Sequence, residues 1–165
     1  MFFLRYIPVI LLSFLLMNSC KEEEDPCAFP ASYAVDMDKV QSDLAVIDQY
    51  LADSGLVAQS HDLGLRYMIT KPGTGVDVDY CSKVYVEYKG MLLDGTVFDA
   101  TPSGKVAEFF IFELIYGWRI GIPLIKPGGE ITLFVPSPYA YGTSGSGSIP
   151  PDSILIFQVK LKGVY

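Results

Sequence analysis

Residues 88–99, Tyr-Lys-Gly-Met-Leu-Leu-Asp-Gly-Thr-Val-Phe-Asp, decide the fold class. Leading into this stretch, Val84, Val86 and Tyr88 alternate with polar or amphipathic positions, which is the period of a half-buried antiparallel strand. Asp94-Gly95 then supplies a residue pair that hairpin turns favour. The stretch therefore predicts a strand that runs into a tight turn.

Further strands are expected on both sides of this turn. From Gly64 onward the chain consists of short β-like runs separated by glycine and proline, and only residues 113–124 could hold a short helix. The other predicted strands cover residues 65–70, 106–112, 130–135 and 154–161. Several antiparallel strands with one short helix indicate an α+β domain, which we place at residues 63–165.

An additional helix is predicted before this domain, followed by a connector, together covering residues 36–62. Asp36 or Asp38 can cap the start of the helix, and Gly55 can end it. His61, the only histidine, lies in the connector and is expected to be exposed and without a functional role. The apolar stripe of the helix, which we expect to pack on the domain or on a second copy, is Val40, Leu44, Ile47 and Leu51.

The N-terminus has the parts of a secretory signal. Arg5 precedes an apolar run over residues 7–17, which is too short to span a bilayer comfortably, and Asn18-Ser19-Cys20 follows. A cysteine directly after a small residue resembles a lipobox, so we predict a lipoprotein signal peptide over residues 1–19 and lipidation of Cys20. A plain cleaved signal and an uncleaved anchor with a chance cysteine are the alternatives.

An acidic tether is predicted over residues 20–35. It opens with Lys-Glu-Glu-Glu-Asp at residues 21–25, which resembles the tag behind the lipidated cysteine in surface lipoproteins of Bacteroidetes-like bacteria. We expect a membrane attachment through the lipid in the cell envelope, in the outer membrane, facing either the periplasm or the cell surface. If Cys20 is lipidated, Cys27 and Cys81 remain, and they are either disulfide-bonded or two unpaired thiols.

Charge and side-chain chemistry exclude several classes of function. The 165-residue chain has a formal net charge of -7, so nucleic acid is a poor partner. The sequence offers no Ser/His or Cys/His nucleophile pair, no metal-ligand spacing and no dinucleotide loop. An enzyme built from this chain should therefore need no nucleophile, metal or cofactor.

Four motifs in the domain then point to one family. Besides residues 88–99 they are Leu-Ile-Tyr-Gly-Trp at 114–118 with Lys-Pro-Gly-Gly at 126–129, Pro-Ser-Pro-Tyr-Ala-Tyr-Gly at 136–142, and Ile-Pro-Pro-Asp-Ser-Ile-Leu-Ile-Phe-Gln-Val-Lys-Leu at 149–161. In order and spacing they resemble the motifs of FKBP-type peptidyl-prolyl cis-trans isomerases, over about 100 residues. The resemblance implies an antiparallel sheet wrapped around one short helix, and rotation of X-Pro bonds in envelope or exported proteins, which assists their folding.

The resemblance also implies a hydrophobic cup that holds proline and can accept macrolide inhibitors. Its floor would be Trp118, and substrate carbonyls would be held by the Tyr141 hydroxyl and the Ile115 amide. Asp99 would orient Tyr88 rather than exchange protons. By motif position the catalytic residues would be Tyr88, Phe98, Asp99, Ile115, Trp118, Tyr141 and Phe157, and the other substrate-binding residues would be Phe109, Leu114 and Ile149.

Two departures from the family pattern keep an alternative open. Ala107 stands where a second aromatic is common, and residues 143–148 form a loop of Gly, Ser and Thr only. Both could widen the cup. The alternative is a non-catalytic chaperone or binding module whose cup holds prolyl or hydrophobic segments on the cell envelope.

Overall fold

The computed structural model describes residues 35–165. The predicted signal peptide, the lipidation site Cys20, Cys27 and nearly all of the tether lie outside these residues. Within residues 35–165, no helix combines the length and the apolar character needed to cross a membrane.

The described residues form a seven-stranded antiparallel sheet and two α-helices. The elements are α1 (Met37–Asp53), β1 (Gln59–His61), β2 (Leu65–Lys71), β3 (Lys83–Leu92), β4 (Val97–Ala100), β5 (Ala107–Phe110), α2 (Tyr116–Gly121), β6 (Glu130–Val135) and β7 (Leu155–Val164). The strands lie in the order β1-β2-β6-β7-β3-β4, and β5 pairs with the remaining part of the β3 edge. The predicted α+β fold, a sheet around one short helix with an extra N-terminal helix, is confirmed.

Helix α2 lies against one face of β6 at very short range. A Cβ atom built on Gly117 would lie 2.4 Å from Cγ1 of Val135, and one on Gly121 would lie 2.5 Å from Cδ2 of Leu133. Real Cβ atoms do not approach so closely, so the helix can occupy this position only with glycine at both places. The residue between them that faces the sheet, Trp118, is thereby held at a fixed depth.

Helix α1 covers the opposite face of the same strand. Side chains alternate along a strand, so Phe134 points away from Leu133 and α2, and its ring lies 6.2 Å from that of Tyr50 in α1. Asp36 caps the helix by accepting a hydrogen bond from the Lys39 amide at 3.0 Å. The predicted stripe Val40, Leu44, Ile47 and Leu51 is buried. The helix therefore packs on its own domain.

The structure differs from the sequence prediction in the connector. Gln59–His61 forms a short strand, with Ser60 opposite Arg66, where we expected no regular structure. Three residues are too few to show an alternating pattern, and the pairing depends on Gly64, whose φ of +79° reverses the chain. The last strand also extends beyond its predicted end, to Val164, because it pairs along the whole of β3.

Cys81 lies just before β3 and is disulfide-bonded. The other two cysteines of the chain, Cys20 and Cys27, both lie outside the described residues.

The close contact between α2 and β6 makes a testable prediction. Gly121→Ala should lower the free energy of unfolding by about 1–3 kcal/mol, because Leu133 is fully buried and cannot move aside. Alanine is the better helix former by about 1 kcal/mol, so a net loss of stability can be attributed to the clash with Leu133. Denaturant unfolding measures this free energy.

Gly163→Ala in β7 is the matched control, since its added Cβ would lie 3.8 Å from Tyr85, an ordinary contact. Equal stability of Gly121→Ala and the unsubstituted chain would show that α2 does not lie where the structure puts it.

Candidate active site

An aromatic cavity of about 280 Å³ opens between α2 and the sheet. We call it the cup, and it is lined by Tyr88, Phe98, Asp99, Phe109, Glu113, Leu114, Ile115, Trp118, Tyr141 and Phe157. Nine of these ten residues were predicted from sequence as site residues. Strands β3, β4, β5 and β7, the start of α2 and the loop after β6 all contribute, so residues far apart in the chain meet here.

Trp118 forms the bottom of the cup. It is 3% exposed, and three aromatic rings meet its indole edge-on. The ring centroids lie 5.3 Å away for Tyr88, 5.2 Å for Phe157 and 6.0 Å for Phe109, at interplanar angles of 84°, 89° and 90°. Edge-to-face contacts of this kind are favourable because the positive ring edge meets the negative ring face. They hold the floor in one orientation.

Phe98 forms a wall whose position explains the glycine of the Tyr-x-Gly motif. Its ring lies 5.6 Å from that of Phe157, again edge-on. A Cβ atom on Gly90 would lie 2.6 Å from two carbons of the Phe98 ring and 3.0 Å from Phe157. Any other residue at position 90 would therefore displace this wall.

Apart from the buried indole N–H of Trp118, the polar side-chain groups of the cup are two tyrosines and two carboxylates. The Tyr88 hydroxyl donates a hydrogen bond of 2.5 Å to Asp99. Burial, with that hydrogen bond as the next cause, raises the pKa of Tyr88 far above its usual value. Burial and then the charge of Asp99 also raise the pKa of Tyr141. Both hydroxyls therefore keep their protons, and both can donate hydrogen bonds.

The start of α2 presents backbone at the edge of the cup. Ile115 is the N-cap of the helix, and the amides of Trp118 and Arg119 donate to its carbonyl. Amides at a helix start have no acceptor within the helix, which leaves them available for a ligand. The Leu114 carbonyl next to it accepts a hydrogen bond from Nε of Arg119 at 2.5 Å.

Arg119 and Glu113 are the residues that the sequence reasoning missed. Besides holding Leu114, Arg119 donates from Nη1 to the Tyr80 hydroxyl at 2.7 Å, and its guanidinium lies 5.8 Å from the centre of the Tyr80 ring. A lone arginine in an otherwise apolar helix was the available signal. Glu113 is exposed at the rim of the cup and precedes the matched motif, so no pattern marked it.

Ile149 is the predicted site residue that does not line the cup. It is 8% exposed, and its backbone pairs with Ser146 through hydrogen bonds of 3.0 and 2.8 Å. Its backbone closes the turn over residues 146–149, and its side chain is buried. A substrate contact for Ile149 stays a prediction.

A larger groove of about 430 Å³ crosses the outer face of the sheet and shares only Tyr88 with the cup. Three of its four charged lining residues are in ion pairs: Lys160 with Glu130 at 3.7 Å, and Glu87 with Lys162 at 3.1 Å. Tyr88 is its one aromatic lining residue, so we regard the smaller cup, with its aromatic floor, as the site. Within residues 35–165 no group of three or more His, Cys, Asp or Glu side chains could hold a metal ion.

Comparison with known proteins agrees with this geometry. The family profile described as FKBP-type peptidyl-prolyl cis-trans isomerase matches residues 76–162. A protein of Neisseria meningitidis named probable FKBP-type peptidyl-prolyl cis-trans isomerase FkpA is 45% identical over 100 residues, which cover 59% of this chain and 37% of that protein. Outer membrane protein MIP of Legionella longbeachae is 43% identical over 103 residues, covering 61% of this chain and 44% of MIP.

Among solved structures, the crystal structure of FkpA from Escherichia coli superposes with a TM-score of 0.66 at 33% sequence identity, covering 78% of this chain and 63% of that one. The chain spans less than half the length of the curated relatives it matches. The matched residues contain the whole cup, from Tyr88 to Phe157. On the sequence match and the shared fold, the chain belongs to the FKBP-type peptidyl-prolyl cis-trans isomerase family.

Proposed function

We propose that this chain catalyses cis-trans isomerisation of X-Pro bonds in polypeptide segments that enter the cup. The observation that carries the proposal is the floor of Trp118 with three aromatic rings edge-on around it. A volume of about 280 Å³ lies just below the usual range of small-ligand cavities, about 300–1,000 Å³. It therefore suits one ring-bearing residue of a longer chain.

The mechanism follows from the chemistry of the imide bond. Rotation has a barrier of roughly 18–20 kcal/mol because amide resonance, which places negative charge on oxygen, is lost in the twisted state. The twisted bond is less charge-separated than either planar form, so a water-excluding apolar cup favours it over them. An environment that binds the transition state better than the ground state lowers the barrier with no covalent step.

The polar groups then fix the substrate on either side of the proline. The protonated Tyr141 hydroxyl and the free amide of Ile115 would hold substrate carbonyls. Asp99, which accepts a hydrogen bond from the Tyr88 hydroxyl, would hold that hydroxyl in one orientation. Phe98, Phe109, Leu114 and Phe157 supply apolar contact to the ring.

A non-catalytic binding module remains the second candidate, and the observation in its favour is the wall beside Phe109. Ala107, two residues before Phe109 on β5, is only half-buried and adds little side chain there. A wider cup would still bind prolyl or apolar segments. It would exclude less water from the imide bond and would therefore favour the twisted state less. Macrolide inhibitors, which use the same apolar floor, should bind in either case.

We further propose that the protein works at the cell envelope. Support comes from the signal-like start with Cys20 and from the similarity to a relative named an outer membrane protein. In this proposal residues 1–19 are removed, Cys20 carries the lipid, residues 20–35 are the tether, residues 36–62 add the extra helix and connector, and residues 63–165 are the isomerase domain. The clients would be envelope or exported proteins that contain proline.

The proposed role of Phe98 gives the sharpest prediction at the site. Phe98→Ala should lower kcat/KM for a proline-containing peptide roughly 10- to 100-fold, because the lost contact is worth about 1–3 kcal/mol. Tyr141→Phe should have a smaller effect, since one hydrogen bond of about 1 kcal/mol is lost with little area. Thermal unfolding of the same samples separates lost activity from lost fold. A stable and fully active Phe98→Ala protein would mean that the site lies elsewhere.

The dependence of activity on pH tests whether proton transfer takes part. The cup contains no histidine or cysteine, the groups whose ordinary pKa values lie nearest neutrality. The raised pKa of Tyr88 keeps its proton bound, so its contribution to stability is complete below about pH 10 and is lost only as pH rises through the raised value. Activity should therefore be constant from about pH 6 to 9. A bell-shaped profile in that range would contradict the mechanism.

The envelope proposal predicts the behaviour of a Cys20 variant. Replacing Cys20 by Ser removes the sulfur atom that would carry the lipid, so the protein should move from the membrane fraction to the soluble fraction. Cys27→Ser is the matched control and should stay with the membrane. A Cys20→Ser protein that remains in the membrane as before would overturn the lipid anchor.

A further inference from the structure

The N-terminal helix carries one charged side chain into the core of the domain. Asp43 lies on the buried stripe of α1 and is 2% exposed. One carboxylate oxygen accepts hydrogen bonds from the amide of Ser137 at 2.7 Å and from its hydroxyl at 2.6 Å. The other oxygen pairs with Nζ of Lys39 at 2.6 Å. Every strong interaction that this carboxylate makes is with α1 itself or with Ser137.

A buried carboxylate is costly unless it is paired and hydrogen-bonded, so its partners must lie in fixed positions. Apolar side chains at Val40, Leu44 and Ile47 would pack with almost any neighbouring surface. Asp43 tolerates only one placement of the Ser137 backbone. Asp43 therefore makes the contact between α1 and this segment specific. The apolar face alone would not do so.

The segment that Asp43 holds leads directly into the cup. Ser137 begins the 3₁₀ turn Ser137–Tyr139, in which the Ala140 amide donates to the Ser137 carbonyl at 3.0 Å. Tyr139 is buried, its hydroxyl donates to the Leu63 carbonyl at 2.5 Å, and its ring lies 5.1 Å from that of Tyr116 in α2. Tyr141 follows two residues later, at the rim of the cup.

The far side of Tyr141 is also held, because the Gly142 carbonyl accepts a hydrogen bond from the Asp152 amide at 2.9 Å. Tyr141 itself is 39% exposed, more than any other aromatic residue of the cup. Its position is thus set by the two ends of its loop. Asp43 fixes the end that leads out of β6.

We propose that Asp43 is a positioning residue for catalysis: through Ser137 it holds the Tyr141 loop in place, so that the helix preceding the isomerase domain is part of the apparatus that sets the cup. This inference rests on the proposed isomerase function, since it assigns Tyr141 a hydrogen bond to substrate. Asp43 touches no substrate and acts only through Ser137.

The test compares two substitutions on the same helix. Asp43→Ala removes both bonds to Ser137 and should lower kcat/KM for a proline-containing peptide by about fivefold, the loss expected for one hydrogen bond of about 1 kcal/mol, because a displaced Tyr141 hydroxyl no longer meets the substrate carbonyl. Asp48→Ala is the matched control: it breaks the ion pair of α1 with Arg66, 2.8 Å long, which has no link to the loop. It should lower the melting temperature and leave kcat/KM within about twofold.

A double-mutant cycle distinguishes positioning from a general loss of structure. In a Tyr141→Phe background, Asp43→Ala should lower kcat/KM by less than about twofold, because the hydroxyl that it positions is already absent. Its effect on the melting temperature should be the same in both backgrounds. An undiminished activity loss in the Tyr141→Phe background, or full activity of folded Asp43→Ala, would overturn the proposal.

If Asp43→Ala does not fold, Ser137→Ala removes only the hydroxyl bond and keeps the amide bond, and about a threefold loss of kcat/KM is expected by the same reasoning.

Amide hydrogen exchange gives a measurement that does not depend on activity. Residues 137–142 should exchange faster in the Asp43 or Ser137 variant and at the unsubstituted rate in Asp48→Ala. If the chain has no isomerase activity but shows this exchange pattern, the proposed function is wrong and the role of the Asp43–Ser137 contact in holding the loop is supported. If exchange at residues 137–142 is unchanged in the Asp43 and Ser137 variants, the contact does not hold the loop and the proposal is wrong.

Discussion

The direct contact of helix α2 with strand β6 is the constraint on which the rest of the site depends. Because Gly117 and Gly121 carry no side chain, the helix backbone rests on Val135 and Leu133. That distance sets the depth of Trp118. Trp118 in turn fixes the rings of Tyr88, Phe109 and Phe157, which meet it edge-on. A helix one side chain farther from the sheet would leave a deeper cavity with no floor.

The two helices contribute to the cup from opposite faces of the sheet. Helix α2 supplies the floor and a free backbone amide. Helix α1 supplies no lining residue. Its Asp43 accepts two hydrogen bonds from Ser137, in the segment after β6 that carries Tyr141. The family motifs lie within residues 88–161, all after α1. The extra helix therefore adds a contact to the Tyr141 segment that those motifs do not encode.

The parts of the structure that follow from local pattern were predictable from sequence. The β-like run after Pro127-Gly128-Gly129 predicted strand β6 at its observed bounds, and the 3.6-residue period predicted the buried stripe of α1. The family resemblance named nine of the ten lining residues, and for the motif glycine Gly90 the structure shows the reason, because a side chain there would meet the ring of Phe98. The contacts that sequence reasoning missed join residues far apart in the chain: Asp43 with Ser137, and Arg119 with Tyr80. No window of local sequence contains both partners. Ile149 was expected at the cup from its motif position; it is buried and does not line the cavity, and its substrate contact stays a prediction.

Peptide kinetics show whether the cup accelerates rotation of an X-Pro bond. The full chain, purified in detergent, is added to a short proline-containing peptide, and the approach to cis-trans equilibrium is followed. Catalysis by the cup predicts a rate that rises in proportion to protein concentration above the spontaneous rate, while the equilibrium ratio stays unchanged. A rate equal to the spontaneous one at every protein concentration, with the peptide nevertheless bound, would contradict the account and favour the non-catalytic binding module.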